Sequence, residues 1–156
     1  MIQPLYDTAG PFSEGLARVG TADPLGYIAQ WRFIDKAGRA AIDATFEGAG
    51  PFSEGLAPVE RKGKWGYVDK TGKWVIEPRF DWAHSFSEGL ARVNVGGLLG
   101  GKWGYINKTG KLVTKVQFDD AQNFDGGLAH VRVGSFETGK RGYIDKSGRY
   151  VWGPTR

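Results

Sequence analysis

The chain has 156 residues, a length that fits one domain, and its 40% hydrophobic and 24% charged residues are typical of a folded globular protein. It contains no cysteine, which excludes a disulfide framework, a zinc–thiolate site and thiol catalysis. The net charge of +4 is too small to predict nucleic-acid binding, and no apolar run approaches the roughly 20 residues of a membrane span. The sequence carries no signal-peptide pattern and indicates no compartment.

Two motifs recur along the chain in a constant order. The first occupies residues 12–19 and returns at 52–59, 86–93 and, more loosely, 124–131. The second occupies residues 64–73 and returns at 102–111 and 140–149, with a degraded copy at 31–39. The connection from the valine of the first motif to the tryptophan-type position of the second is the part that varies, from 6 to 12 residues. A fixed repeat of this kind decides the architecture.

The sequence of each repeat predicts short strands and tight turns. Residues 64–69 alternate with the period of two that is typical of a strand, and Asp69-Lys70-Thr71-Gly72 supplies a hairpin turn. Residues 73–76 form the return strand, and the following turn at Ser87-Glu88-Gly89 leads into the next strand. The 25 glycines disfavour helices. We therefore predict an all-β protein with about four short strands per repeat and under about a tenth of its residues in helices.

The two motifs together resemble the bacterial WG repeat family, which is named for its Trp-Gly pair. The resemblance covers essentially the whole chain and departs from the pattern where Arg32 follows Trp31 and where Arg141 replaces the tryptophan. It implies a β-repeat scaffold, and it carries no established chemistry onto named residues.

The chain is predicted to be a single repeat domain, residues 1–156, with four units of about 38 residues. The units are approximately 12–51, 52–85, 86–123 and 124–156, the last completed by 1–11. Ile2–Asp7 matches Ile76–Asp81, so the N-terminal strand is expected to close a small four-bladed, β-propeller-like ring. The alternative is an open β-hairpin solenoid.

Several patterns suggest catalysis, but none of them is sufficient to predict an active site. Gly96–Lys102 has the spacing of a phosphate loop, but Trp103 stands where a P-loop needs Ser or Thr. The repeated serines lack the glycines of a nucleophile elbow, and the repeated glutamates are more simply explained by turn or inter-repeat hydrogen bonds. These residues are Ser13, Ser53, Ser87, Glu14, Glu54 and Glu88. We predict no enzyme, no catalytic residues, no metal site and no cofactor; a glycoside hydrolase that uses the glutamates is a second alternative.

The aromatic hairpins suggest a carbohydrate or cell-wall-binding module as the first alternative. Trp65 and Trp103, each followed two residues later by a tyrosine, place large rings on one face of their strands, as in sites that stack sugars. Burial of these rings between repeats is the favoured interpretation.

The favoured function is a non-catalytic binding scaffold that presents the variable connections to a protein partner. Loops tolerate change and carry function when a rigid scaffold presents them. Their apolar and basic side chains form the predicted partner-binding surface, which consists of Leu25, Tyr27, Arg61, Lys62, Leu98, Leu99 and Phe136. If all four connections project from one rim, these residues lie near one another.

Overall fold

The computed structural model describes residues 5–155, which form β-strands in four antiparallel sheets and contain no helix. The predictions of an all-β chain and of four repeats are confirmed. No helix long and apolar enough to cross a membrane occurs among the described residues. The chain divides into two compact units, an N-terminal half that ends at Arg79 and a C-terminal half that begins at Phe80.

The N-terminal half contains two sheets, with strand orders β1-β2-β3 and β4-β5-β6-β7. Their strands are β1 (Thr8–Ala9), β2 (Ala17–Ala22), β3 (Ile28–Ile34), β4 (Gly48–Ala49), β5 (Leu56–Arg61), β6 (Lys64–Asp69) and β7 (Trp74–Phe80). The sheets of the C-terminal half have orders β8-β9-β10 and β11-β12-β13-β14. Their strands are β8 (Trp82–Ala83), β9 (Ala91–Val95), β10 (Lys102–Ile106), β11 (Asp120–Ala121), β12 (Leu128–Val133), β13 (Lys140–Asp145) and β14 (Tyr150–Thr155).

The predicted Asp-Lys-Thr-Gly hairpin turn is present and is closed by its first side chain. Oδ1 of Asp69 accepts hydrogen bonds from the backbone amides of Thr71 (2.9 Å) and Lys73 (3.1 Å). Gly72 takes a φ of 86°, a conformation that glycine adopts without steric cost. Asp35, Asn107 and Asp145 make the same two amide contacts in their own turns.

The glycine of the Trp-Gly pair lies where the next strand approaches most closely. Any side chain at position 66 would place its Cβ 2.4 Å from the carbonyl oxygen of Ile76. Only glycine therefore allows β7 to pair with β6 as it does. Gly142 meets the carbonyl oxygen of Trp152 similarly, at 2.6 Å. Arg32 occupies this position in the first repeat and Gly104 in the third, and the sheets of both repeats have three strands.

Each short strand joins the sheet of the repeat that follows it. β1 pairs with β2 through Thr8↔Gly20, and β4, β8 and β11 pair in the same way with β5, β9 and β12. The last sheet therefore takes all four strands from Asp120–Thr155. Closure of the repeats into a ring stays a prediction; residues 1–4, which contain part of the proposed closing strand, lie outside the described residues.

Each half has its own apolar core, built where consecutive repeats pack together. In the N-terminal half, the ring of Phe33 in the first repeat lies 4.8 Å from the ring of Phe52 in the second. In the C-terminal half, Tyr105 and Phe124 repeat this contact at 4.9 Å. All four side chains are at most 1% exposed. Burial of such a side chain stabilises the fold by about 2–3 kcal/mol, so these aromatic pairs hold successive repeats together.

Polar contacts from the Phe-Ser-Glu-Gly turn complete the same interface. The hydroxyl of Ser13 donates to the carbonyl oxygen of Phe52 (2.7 Å), and a carboxylate oxygen of Glu14 accepts from the amide of Gly55 (2.9 Å). Lys70 lies 3.4 Å from the same carboxylate. Ser87, Glu88 and Lys146 make the equivalent contacts in the C-terminal half.

The interface also explains an unusual backbone. Glu14 has a φ of 53°, in the left-handed region that glutamate seldom adopts. There its carboxylate reaches the next repeat, and although partial burial opposes ionisation, the hydrogen bonds from the following repeat lower its pKa. Glu14 and Glu88 therefore make inter-repeat hydrogen bonds, one of the two roles expected of them. Ser13 and Ser87, expected only as turn residues, also bond the following repeat.

Candidate functional site

The variable connections are the loops of four β-hairpins. The N-terminal half carries loop 1 (residues 23–27, between β2 and β3) and loop 2 (62–63, between β5 and β6). The C-terminal half carries loop 3 (96–101, between β9 and β10) and loop 4 (134–139, between β12 and β13). In the second, third and fourth hairpins the length changes are confined to the loops, whereas in the first hairpin the pairing of β2 with β3 also extends further, to Ala22↔Ile28.

A carboxylate located 15 residues earlier in the chain binds the base of each hairpin. Asp7 accepts from the amide of Ala22 (2.7 Å), and Glu47 accepts from the amides of Lys62 (2.9 Å) and Gly63 (3.2 Å). In the C-terminal half, Asp81 and Asp119 accept from the amides of Gly96 (2.9 Å) and Gly134 (2.7 Å). Sequence reasoning missed these residues, although each follows an aromatic residue, Tyr6, Phe46, Phe80 or Phe118, in every repeat.

One carboxylate links the two loops of the C-terminal half. Besides the Gly134 amide at the base of loop 4, Asp119 binds the ammonium of Lys102, directly after loop 3. The hydrogen bond from Lys102 and that from Gly134 hold the pKa of Asp119 below its usual value. Asp119 therefore connects the end of loop 3 to the start of loop 4.

The tips of these two loops are apolar and exposed. Leu98 and Leu99 are 71% and 105% exposed, and Phe136 is 77% exposed. The guanidinium groups of Arg132 and Arg141 lie 6.0 and 5.7 Å from the ring centre of Phe136, and Arg141 donates to its carbonyl oxygen (3.0 Å). Arg141, which replaces the repeat tryptophan, thus supports loop 4.

The tip of loop 1 in the N-terminal half is also apolar. Leu25 and Tyr27 are 81% and 72% exposed. Oδ1 of Asp23 accepts from both of their amides, at 2.9 and 3.0 Å, so the backbone of the tip is held by its own side chain. This arrangement orients the two apolar side chains without burying them.

Loop 2 presents Lys62, whereas its neighbour Arg61 packs into the fold. The guanidinium of Arg61 lies 5.2 Å from the ring centre of Phe46 and 5.3 Å from that of Trp74. It also donates to the carbonyl oxygen of Thr45 (3.3 Å). Of the seven predicted partner-binding residues, six are exposed on loops, and Arg61 stabilises the base of its hairpin.

A cleft of about 220 Å³ lies between the hairpins of the N-terminal half. It is lined by Ala29, Gln30, Thr45, Phe46, Glu47, Glu60 and Arg61. Burial and the nearby Glu47 carboxylate raise the pKa of Glu60. In the aligned positions of the C-terminal half, Lys102 and Arg132 stand in place of Gln30 and Glu60. The two basic side chains near Asp119 therefore have no counterpart at Glu47, the aligned carboxylate of the cleft.

Three of the four aromatic residues that suggested a sugar site belong to the core. Trp65 is 6% exposed, and Tyr67 and Tyr105 are fully buried, which raises the pKa of both phenols. Trp103 is half-buried, with the guanidinium of Arg92 5.3 Å from its ring centre. The favoured interpretation of these rings as packing residues is confirmed for Trp65, Tyr67 and Tyr105.

Neither the glycine-rich segment nor His84 has the surroundings of a reactive site. The segment 96–101 is followed by strand β10, not by a helix, and its lysine is bound by Asp119. Burial and the neighbouring Arg92 lower the pKa of His84 to about 4, and its Nε2 lies 3.1 Å from Nε1 of Trp82. His84 is therefore neutral at physiological pH and packs within an aromatic cluster.

Hairpin sheets that pack through a recurring aromatic and Ser-Glu interface define a β-repeat protein. The chain belongs to the WG containing repeat family, whose model matches residues 1–21, 31–65, 65–98 and 103–135. No curated protein matches the chain significantly. Among solved structures, it is similar to one titled "Crystal structure of the eukaryotic initiation factor", with 11% identity and a TM-score of 0.59. The match covers 92% of this chain but only 43% of that one, and at this identity the likeness shows the fold alone.

Proposed function

We propose that the chain is a non-catalytic binding scaffold whose hairpin loops contact a protein partner. The observation that carries the proposal is the contrast between the base and the tip of the hairpins. A carboxylate from earlier in the chain anchors each base, while Leu25, Tyr27, Leu98, Leu99 and Phe136 stand between 71% and 105% exposed. Large apolar side chains on a supported loop lose little conformational freedom on binding, which favours affinity.

The surroundings of the residues behind the two alternative functions favour the loops as the binding surface. A sugar-binding platform needs ring faces open to solvent, whereas Trp65, Tyr67 and Tyr105 are in the core and Trp103 is half-buried beneath Arg92. A glycosidase needs two carboxyl groups facing one substrate, whereas Glu14 and Glu88 each bind the backbone of the next repeat and a lysine. The loop tips make no comparable contribution to the core.

Photo-crosslinking followed by titration tests the proposal. A photoreactive residue in place of Leu99 should capture a protein that the same residue in place of Lys111, after the turn at the other end of the hairpin, does not capture. Once that partner is purified, Leu98→Ser with Leu99→Ser should weaken its binding by at least about tenfold, because exposed apolar anchors dominate such interfaces.

A matched control separates binding from stability. Leu112→Ser removes a leucine that is 46% exposed but lies outside the loops, and it should leave the affinity unchanged. The melting temperature of the double variant should stay within about 2 °C of wild type, as expected for exposed positions. Equal binding by all variants, or unfolding of the double variant, would show that the loops are not the partner surface.

A further inference from the structure

Within each half, the later repeat covers an aromatic ring of the earlier repeat with its own phenylalanine. Phe52 covers Phe33 and Phe124 covers Tyr105, and the rings of each pair are no more than 1% exposed. The turn glycine of the later repeat packs beside this pair. A Cβ on Gly148 would stand 2.8 Å from Cγ2 of Thr114. The same arrangement brings Gly72 against Ile42 in the N-terminal half.

The last repeat leaves its half of this interface open. Tyr143, which aligns with Tyr105, is 41% exposed, and Trp152, which aligns with the buried Thr114, is 55% exposed. With His130 these rings form a ladder across β12, β13 and β14, with ring centres 5.4 and 6.1 Å apart. We call His130, Tyr143 and Trp152 the tail face. An exposed aromatic patch of this kind marks an interaction surface.

The first repeat leaves the complementary half open. Phe12 is 48% exposed, although the aligned Phe52, Phe86 and Phe124 are each 1% exposed. A Cβ on Gly38 would meet no atom within 4 Å, in contrast to the aligned Gly72 and Gly148. Lys36 aligns with the lysines that bind Glu14 and Glu88, and it is exposed. We call Phe12, Lys36 and Gly38 the head face.

We propose that the tail face of one copy of this chain docks on the head face of a second copy. In this contact Phe12 packs on Tyr143 as Phe124 packs on Tyr105, and Trp152 covers the open Gly38. The interface thus continues one that the chain already uses within each half. A heterologous contact of this kind joins copies head to tail and can extend beyond a dimer.

The polar residues of the tail face differ from those of the interfaces within each half, and the difference predicts a weaker contact. The last repeat has Asp125 and Gly126 where the first and third have serine and glutamate. The hydroxyl bond to a carbonyl oxygen and the carboxylate bond to the glycine amide are therefore absent from the tail face. Asp125 is exposed and supplies the negative charge for Lys36. The contact between copies is consequently weaker than the contacts within each half.

Analytical ultracentrifugation between about 10 µM and about 1 mM tests the proposal over the range of weak association. The wild-type chain should show a mass that rises with concentration. Phe12→Asp and Trp152→Asp should each raise the dissociation constant at least about tenfold, because each places a charge in an aromatic contact. Val151→Asp is the matched control: Val151 is 60% exposed on the same strand but faces the opposite side of the sheet.

Mixing the two disrupted variants gives the decisive result. Phe12→Asp keeps an intact tail face and Trp152→Asp keeps an intact head face, so an equimolar mixture should form dimers that grow no further. No association in the mixture while the wild type self-associates would overturn the head-to-tail geometry. A wild-type chain that stays monomeric throughout would overturn the proposal, and if Phe12→Asp also lowered its melting temperature, the two faces would meet within one chain, as in the predicted ring.

Discussion

Removing the carboxylate of Asp119 should loosen loop 4 and reduce stability. In wild type this carboxylate accepts from the Gly134 amide and binds the Lys102 ammonium. Asp119→Ala leaves the amide without its acceptor, which costs about 1–2 kcal/mol by analogy with capping carboxylates. Because the side chains of Lys102 and Asp119 are 44% and 26% exposed, their ion pair adds only about 0.5 kcal/mol. The expected total is about 1.5–2.5 kcal/mol.

Asp119→Asn separates the two contributions, because the amide oxygen of asparagine still accepts a hydrogen bond. We expect a loss of about 0.5–1 kcal/mol for this variant, the value of the charge alone. Glu137→Gln, which removes a negative charge from the exposed tip of the same loop, should change stability by less than about 0.5 kcal/mol. Urea unfolding measures all three variants, and amide hydrogen exchange at Gly134 reports whether the base of the loop has opened.

The pH dependence gives an independent check. The folded-state pKa of Asp119 lies below that of the unfolded chain, chiefly because of the hydrogen bond from Lys102. Its contribution is therefore complete above the unfolded pKa of about 3.9 and is lost as the pH falls through the folded pKa. The difference between wild type and Asp119→Asn should shrink below about pH 4. Unchanged protection at Gly134 in Asp119→Ala, or a difference independent of pH, would refute the role assigned to this carboxylate.

The remaining predictions concern the repeat interface and the cleft. Phe124→Ala should destabilise the chain by about 3–5 kcal/mol, because it opens a cavity beside a buried ring. Phe12→Ala, at an exposed position, should cost less than about 1 kcal/mol in dilute solution, and urea unfolding compares the two variants. Glu88→Gln should cost about 1 kcal/mol by weakening the bond to the Gly127 amide, and a cost indistinguishable from zero would contradict the interface described. Glu60→Gln should stabilise the fold slightly at pH 7, because a carboxyl with a raised pKa disfavours the folded state when ionised. The gain should shrink as the pH falls and disappear below the unfolded pKa of about 4.3, and a gain that persists well below that pH would refute the cause assigned to it.

The repeat pattern was enough to predict the hairpins and their turns. In the segment 64–73 the alternation of side chains, the aspartate and the turn glycine all favour the same hairpin, and the structure contains it. The recurrence of the glutamates pointed to turn or inter-repeat hydrogen bonds, and the structure shows the inter-repeat ones for Glu14 and Glu88. The hairpins and turns are predictable because residues close in sequence determine them.

Local patterns did not predict which sheet each short strand joins or which side chains bind the bases of the loops. Thr8–Ala9 carries no signal that says which sheet it joins, because a two-residue strand pairs wherever the neighbouring edge is open. Asp119 looks like any surface carboxylate until folding places it beside Lys102 and Gly134. Arg61, predicted as part of the partner surface, packs between two rings that lie 13–15 residues away on either side.

The sequence by itself determined the number of repeats, the all-β class and the local geometry of each turn, because a repeated local pattern specifies hairpins wherever it occurs. Only the tertiary structure decided which aromatic residues are covered. Tyr105 and Tyr143 occupy the same position of their repeats, yet one is fully buried and the other is 41% exposed. The difference depends on whether the phenylalanine of another repeat lies against the ring, and that is a property of packing between repeats, not of the residue or its neighbours in the chain.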